Sequence, residues 1–270
     1  MKKFYKNYPF IKNNFLDVMI LFTKLIIVFF VSSFLIIIKF FCDFLIPKSS
    51  IIIPQVFHKL IIWLINIKII KEGKITKHKK GILFVSNHLS YLDIPVLGSL
   101  LPSKFVAKDE VSSWPVFGYL AKIGNTIFIK RMRKNLFKDK DAIQKEIEDG
   151  FKVILFPEGT TSDGNSIKKF KSSLFECINS SDRLIKVQPI SICYVRKNNL
   201  PMGMYSRRFI AWVGETSMVS SMKEFLSSGS ITVSLIFHPE VSMSRFDNRK
   251  ELTSFCEEQI LIGLNKTIKI

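Results

Sequence analysis

Apolar residues crowd the first quarter of the chain. Residues 25–38 carry no charge, lie between Lys24 and Lys39, and continue into further apolar sequence on both sides. A hydrocarbon core takes roughly 20 apolar residues to cross. The run therefore spans only if Lys24 and Lys39 extend their charged ends to the surface and the helix covers residues 18–41; otherwise it lies in one leaflet. Basic residues flank it on both sides (Lys2, Lys3, Lys6 and Lys12 before, Lys48 and Lys59 after), so charge asymmetry does not orient it, and a shallow or re-entrant anchor is favoured. Residues 40–45 offer no small-residue cleavage site, which argues against a removed signal peptide. After a break at residues 46–50, a second apolar stretch covers residues 51–70, with Leu60, Trp63, Leu64 and Ile67 at helical spacing. This predicts an amphipathic helix that sits at an interface, closes over the next domain, or joins a core. Residues 71–80 are polar and charged and read as a linker, so the chain divides into an anchor over 1–70 and a main domain over 71–270.

In the main domain the hydrophobic period alternates between strand-like and helix-like. Buried strands are predicted over residues 81–86 and 152–156, and weaker ones over 104–107, 126–129, 187–194, 209–214 and 231–237. Helices are predicted over residues 93–100, 116–123, 139–150, 168–180 and 250–266. The alternation predicts an α/β fold, a mostly mixed sheet flanked by helices, joined to the N-terminal hydrophobic membrane-anchoring helical segment. Sheets of this kind bind ligands beyond the C-terminal ends of their strands.

Composition narrows the partners. A chain of 270 residues holds one sizeable domain and an appendage. The formal charge of +18 points to an anionic partner, although the lysines are scattered among Ile, Phe and Asn in a way that also reflects compositional bias. No basic run interleaves with aromatics and no zinc-finger spacing occurs, so nucleic acid is excluded as a partner and a membrane surface is preferred. Cys42, Cys177, Cys193 and Cys256 form no C-x-x-C pair and read as small hydrophobes in a reduced, cytosol-facing domain. His58, His78 and His238 show no metal-ligand spacing and read as surface or strand-end residues; neither metal nor cofactor is called for.

The candidate chemistry sits where two strands are predicted to end. Asn87-His88-Leu89-Ser90-Tyr91-Leu92-Asp93 follows the first, and Phe156-Pro157-Glu158-Gly159-Thr160 ends another. A neutral imidazole takes the proton of an alcohol as that alcohol attacks a thioester, provided a carboxylate fixes the tautomer and stabilises the imidazolium. His88 and Asp93 fit those two roles. Five residues apart in a helix they would point roughly 140° away from each other. The pair therefore meets only if His88 precedes a helix and Asp93 lies in its first turn. Asp93 has a second available role, because Ser90-x-x-Asp93 is also a capping box. Pro157 and Gly159 predict a turn, either purely structural or one whose backbone N–H groups approach a ligand. No G-x-S-x-G elbow is present and no cysteine sits in a nucleophile motif, so a covalent acyl-enzyme has no sequence support.

With these blocks in order, the chain resembles the membrane-associated glycerolipid acyltransferases of the 1-acylglycerol-3-phosphate (lysophosphatidate) acyltransferase type. The N-H-x4-D block matches at Asn87, His88 and Asp93, G-x-x-F-I-x-R at Phe128, Ile129 and Arg131, and F-P-E-G-T at Phe156 to Thr160. A proline-interrupted apolar strand matches at Val187-Gln188-Pro189-Ile190, and the likeness covers about residues 72–240. Three departures stand out. Asn125 replaces a common glycine, with Gly124 one place early; Thr161 replaces a common arginine; and Phe170-Lys171-Ser172-Ser173-Leu174-Phe175 replaces F-K-x-G-x-F.

The resemblance implies that His88 is the catalytic base and Asp93 its orienter, and that Glu158 and Gly159, with Thr160 beside them, bind the acceptor. Arg131, assisted by Lys130, would grip the acceptor phosphate, since a guanidinium fork holds phosphate bidentately. Arg133 is a further candidate, unless it and Lys130 are a charged strand end. The implied reaction moves a fatty acyl group from acyl-CoA or acyl carrier protein to lysophosphatidate, giving phosphatidate. Its implied place is the inner (cytoplasmic) membrane, with the catalytic domain facing the cytoplasm. Thr161 leaves the acceptor less defined than the reaction, so another lysolipid such as lyso-ornithine lipid is the alternative. Intact His88, Asp93, Arg131 and Glu158 argue against a non-catalytic lipid-binding protein.

Overall fold

The computed structural model describes residues 15–46, 49–78, 81–130, 136–178, 185–212 and 229–268. Helix α1 (Phe15–Leu45) is followed by α2 (Ile52–Ile65), and strand β1 (Ile67–Gly73) starts the sheet. Next come β2 (Ile82–Ser86), α3 (Asp93–Leu100), β3 (Lys104–Lys108), α4 (Phe117–Ile123), β4 (Ile127–Ile129), α5 (Leu136–Glu148) and β5 (Lys152–Leu155). The chain continues through β6 (Lys186–Lys197), β7 (Leu200–Pro201), α6 (Met204–Ile210), β8 (Ile231–Phe237), β9 (Val241–Ser242) and α7 (Arg249–Ile268).

These strands form a nine-stranded mixed sheet in the order β1-β8-β6-β2-β5-β3-β4, with β7 and β9 also on β6. β6 runs antiparallel to β8, while β2 pairs in parallel with both β5 and β6. Apolar cores cover both faces, which is why the central strands read as unbroken apolar runs rather than alternating ones. Alternate residues of β2 divide between them: Ile82 and Phe84 join α3 and β8, whereas Leu83 and Val85 join α5 and α7.

The mixed sheet flanked by helices agrees with the sequence reading, and three elements differ from it. The expected linker begins as β1, paired in parallel with β8 from Ile67↔Ile231 to Gly73↔Phe237, so the strand crosses the expected division at residue 70. It escapes notice because it is an edge strand: Lys68, Lys71 and Glu72 are exposed, and charge is how edges avoid pairing with other chains. The strand expected over 209–214 falls partly on helix α6 and partly outside the described residues. The helix expected over 168–180 is only a 3-10 turn at Ser172–Phe175, with residues 179–180 outside the described ones. Glu158 and Glu257 capture the backbone N–H groups of Lys168 and Phe170, which holds that segment away from a helical path.

Within α1, Val18–Leu45 is long and apolar enough to cross a membrane, with a mean hydropathy of 2.8 and large exposed side chains such as Phe22, Phe30, Phe40 and Phe44. The two flanking lysines do not extend outward. Lys24 Nζ lies 5.2 Å over the Trp63 ring of α2, and Lys39 is buried against Asp43 one turn on. Of the three alternatives for the second apolar stretch, α2 closes over the main domain. Its Ile61 and Ile62 pack on the core, Gln55 Nε2 donates to the Ser99 carbonyl of α3 at 3.1 Å, and His58 lies against Gly98.

Candidate active site

β2 delivers the site. The strand ends at Ser86, Asn87 turns the chain, and the next residues wrap around the start of α3 so that its first residue, Asp93, faces back toward His88. Asn87 fixes this turn to β6 by two amide bonds: its Oδ1 accepts from Ile192 N–H and its Nδ2 donates to the Ile192 carbonyl, both at 2.9 Å. His88 Nδ1 lies 2.8 Å from Asp93 Oδ2. The five-residue offset is thus bridged by a non-helical start.

Asp93 is fully buried, and donors from three directions converge on its carboxylate. Oδ2 also accepts from the Leu89 and Ser90 N–H groups at 2.8 and 2.9 Å, and Oδ1 accepts from the Tyr194 hydroxyl at 2.9 Å. The bond to Ser90 N–H is the side-chain half of the expected capping box, but the N-cap of α3 is Leu92 and carries no side-chain cap bond, so the carboxylate shapes the His88 turn and orients the ring. Tyr194, on β6, is itself buried; burial and the neighbouring negative charge push its phenol well above its ordinary value of 10, which keeps it a donor. The Nδ1–H bond to Asp93 selects the tautomer in which Nε2 carries the lone pair.

The backbone of His88 is clamped on both sides. Its N–H donates to Glu158 Oε1 at 2.7 Å and its carbonyl accepts from Ser162 N–H at 2.8 Å. Phe156 supports the ring from below, stacked at 4.1 Å between centroids and 17° between planes. The F-P-E-G-T turn therefore meets the His88 motif directly. Glu158 is 1 % exposed, and its second oxygen accepts from Lys168 N–H at 2.8 Å. Burial pushes its carboxyl up to about 7, helped by the charge of Asp93 and opposed by the two backbone donors. Gly159 has φ +73°, a conformation that a side chain would strain, and Thr160 is exposed beside it.

Of the basic candidates, Lys130 lies among the described residues. Lys130 is exposed at the end of β4, with its Nζ 3.9 Å from Asp109 and its N–H on Asp139 at 3.1 Å. Arg131 and Arg133 fall outside the described residues. Two departures have a physical account. Asn125 follows α4 with φ 56°, and asparagine is the side-chain-bearing residue that best tolerates the left-handed region glycine otherwise fills. Thr161 is buried with its hydroxyl donating to the Trp212 carbonyl, a neutral tie between two loops.

The remaining titratable residues take structural places. Burial raises the thiols of Cys177 and Cys256 to about 12 and that of Cys193 to about 11, which makes them poor nucleophiles. His58 and His238 are not surface residues. His58 is wedged between α2 and α3, and His238 Nε2 lies 2.8 Å from the buried Ser191 hydroxyl at the end of β8. Tyr194 is the site residue that sequence reasoning does not reach: it lies in an apolar strand, 101 residues from Asp93, with no spacing to mark it.

Residues 66–193 match the model of the acyltransferase family. The chain is 34% identical over 236 residues to the lyso-ornithine lipid O-acyltransferase of Rhizobium meliloti, covering 85% of this chain and 80% of that protein. It is 35% identical over 119 residues to the 1-acyl-sn-glycerol-3-phosphate acyltransferase of Neisseria gonorrhoeae, covering 44% and 46%. In fold it is similar to the crystal structure of the 1-acyl-sn-glycerophosphate acyltransferase PlsC of Thermotoga maritima, with TM-score 0.63, 22% identity, and coverage of 93% and 97%.

Proposed function

This chain belongs to the 1-acylglycerol-3-phosphate acyltransferase family of glycerolipid acyltransferases, and from that premise we propose that His88 is the general base that activates a lysolipid hydroxyl toward an acyl thioester. The family makes it an acyltransferase acting on lysolipids; the assignment of roles is the proposal. The carrying observation is the His88 Nδ1–Asp93 contact of 2.8 Å, which commits one ring nitrogen and leaves Nε2 for the acceptor proton. As the acceptor oxygen bonds to the thioester carbonyl carbon, Nε2 takes its proton. Collapse of the tetrahedral adduct breaks the carbon–sulfur bond, and the imidazolium returns that proton to the departing thiolate. No covalent enzyme intermediate is needed. The donor is acyl-CoA or acyl carrier protein, and the catalytic domain faces the cytoplasm at the inner membrane, where those donors are found. Gly159 and Thr160 border the acceptor, while Glu158 acts from behind by holding the His88 backbone.

Of the two acceptors, lyso-ornithine lipid is favoured. The relatives matched over four-fifths of their length carry that name, and the position where an arginine is common holds the neutral, buried Thr161. Lysophosphatidate is the second reading, favoured by the basic Lys130-Arg131 pair in the sequence and by the Neisseria relative. Membranes containing the protein, given each lysolipid with acyl-CoA and with acyl carrier protein, decide between them. Faster acylation of lyso-ornithine lipid is expected. A strong preference for lysophosphatidate transfers the assignment to it, and no transfer to either overturns the reading.

A further inference from the structure

The His88 ring is the inner end of a column of four rings that reaches α2, the helix packed on α1. Phe156 stacks on His88 at 4.1 Å and 17°; Phe105 of β3 lies parallel to Phe156 at 6.3 Å and 18°; and His58 of α2 meets Phe105 edge-on at 5.9 Å and 85°. Phe105 and Phe156 are both 6 % exposed, so neither has slack to absorb a displacement. A second path joins the same end points. The His58 ring occupies the space that Gly98 leaves open, and a Cβ there would come within 1.9 Å of Nδ1. Gly98 and Ser99 lie toward the C-terminal end of α3, and Asp93 is the first residue of that helix. These contacts link α2 to both members of the proposed catalytic pair, to His88 through the rings and to Asp93 through α3.

We infer that His58 is a positioning residue for acyl transfer: seated between Gly98 and Phe105, it couples the docking of α2 to the ring plane of His88. Burial pushes the His58 imidazole down to about 4, so the ring stays neutral and acts by shape. Because α2 also carries Trp63 under Lys24 of the anchor helix, the coupling ties the catalytic base to the way the anchor sits in the membrane. The mechanism matters because a misplacement of about 1 Å costs up to about 10²-fold in rate. The inference rests on the proposed role of His88.

The test uses full-length protein in membranes, with whichever of lyso-ornithine lipid or lysophosphatidate the wild type acylates. His58→Ala is expected to lower kcat about tenfold in protein that still folds and binds membranes, with acceptor KM little changed and Tm lowered only by the cavity it leaves. His58→Phe, which keeps an edge for Phe105, should return kcat to within about twofold of wild type. Gly98→Ala, which displaces α2 with His58 intact, should lower kcat in the same way. An unchanged kcat in His58→Ala, or a His58→Phe variant as impaired as the alanine one, overturns the inference. If His58→Ala does not fold, Phe105→Leu decides: folded protein with wild-type kcat overturns it. Wild-type protein inactive on both acceptors sinks the proposed reaction and the inference with it, whereas an active wild type with unaltered variants sinks the inference alone.

Discussion

The Tyr194 hydroxyl donates to Asp93 Oδ1 at 2.9 Å, closing the one face of the carboxylate that the His88 loop does not reach. Both groups are buried, so the bond is made without competition from water. Tyr194→Phe strands a buried carboxylate oxygen, which typically costs about 1–3 kcal/mol. The variant should show a Tm lower by several degrees and a several-fold loss in kcat with acceptor KM unchanged. Calorimetry beside steady-state kinetics checks both; a variant with wild-type Tm and kcat would show that the tyrosine only fills space.

Asp93→Asn is expected to fail twice. With its oxygen in the place of Oδ2 the amide still accepts from Leu89, Ser90 and His88 but turns its N–H₂ toward the Tyr194 hydroxyl, so stability falls by about 1–3 kcal/mol. The neutral amide also no longer stabilises the imidazolium that forms at His88, so kcat falls by about 10²-fold or more. A loss of Tm with kcat retained would leave the carboxylate shaping the turn only.

The two motif blocks are legible in the sequence because strand-end position and residue type specify them locally. What joins them is not. Asn87 reaches Ile192, Glu158 reaches His88, and Tyr194 reaches Asp93 only after the central strands pair, and residues in apolar strands carry no spacing that marks such long-range bonds. The same holds at the sheet edge, where β1 is hidden because exposed lysines and a glutamate make a strand look like a linker.

Glu158 gives the site a pH signature. Its carboxyl rises from an ordinary 4.5 to about 7 in the folded chain, so the folded state binds its proton more tightly than the unfolded state does. The contribution is fully present below about 4.5 and is lost as pH rises through about 7, an effect of order 3 kcal/mol at most. Glu158→Gln removes that titration. The Tm of wild type minus that of the variant should fall between pH 4.5 and 8; a difference that is flat across that window contradicts the assignment.

The anchor is separable from the fold at one place only. Removing residues 1–46 deletes α1 and should move most of the protein from the membrane pellet to the supernatant, with cooperative unfolding retained and the far-UV helical signal reduced only by the share of α1. Removing residues 1–70 also takes α2 and half of β1, which pack on the core and pair with β8, and should abolish cooperative unfolding. A shorter truncation that still pellets with membranes would place the anchor elsewhere.

The central claim is that His88 Nε2 takes the proton of the lysolipid hydroxyl. The most direct measurement is acyl transfer by His88→Ala at saturating acceptor, in membranes, with Tm and membrane binding determined on the same preparation. The account predicts a kcat lower by about 10²–10⁴-fold in a protein that is folded and membrane-bound. A folded His88→Ala variant that turns over at near the wild-type rate would contradict it.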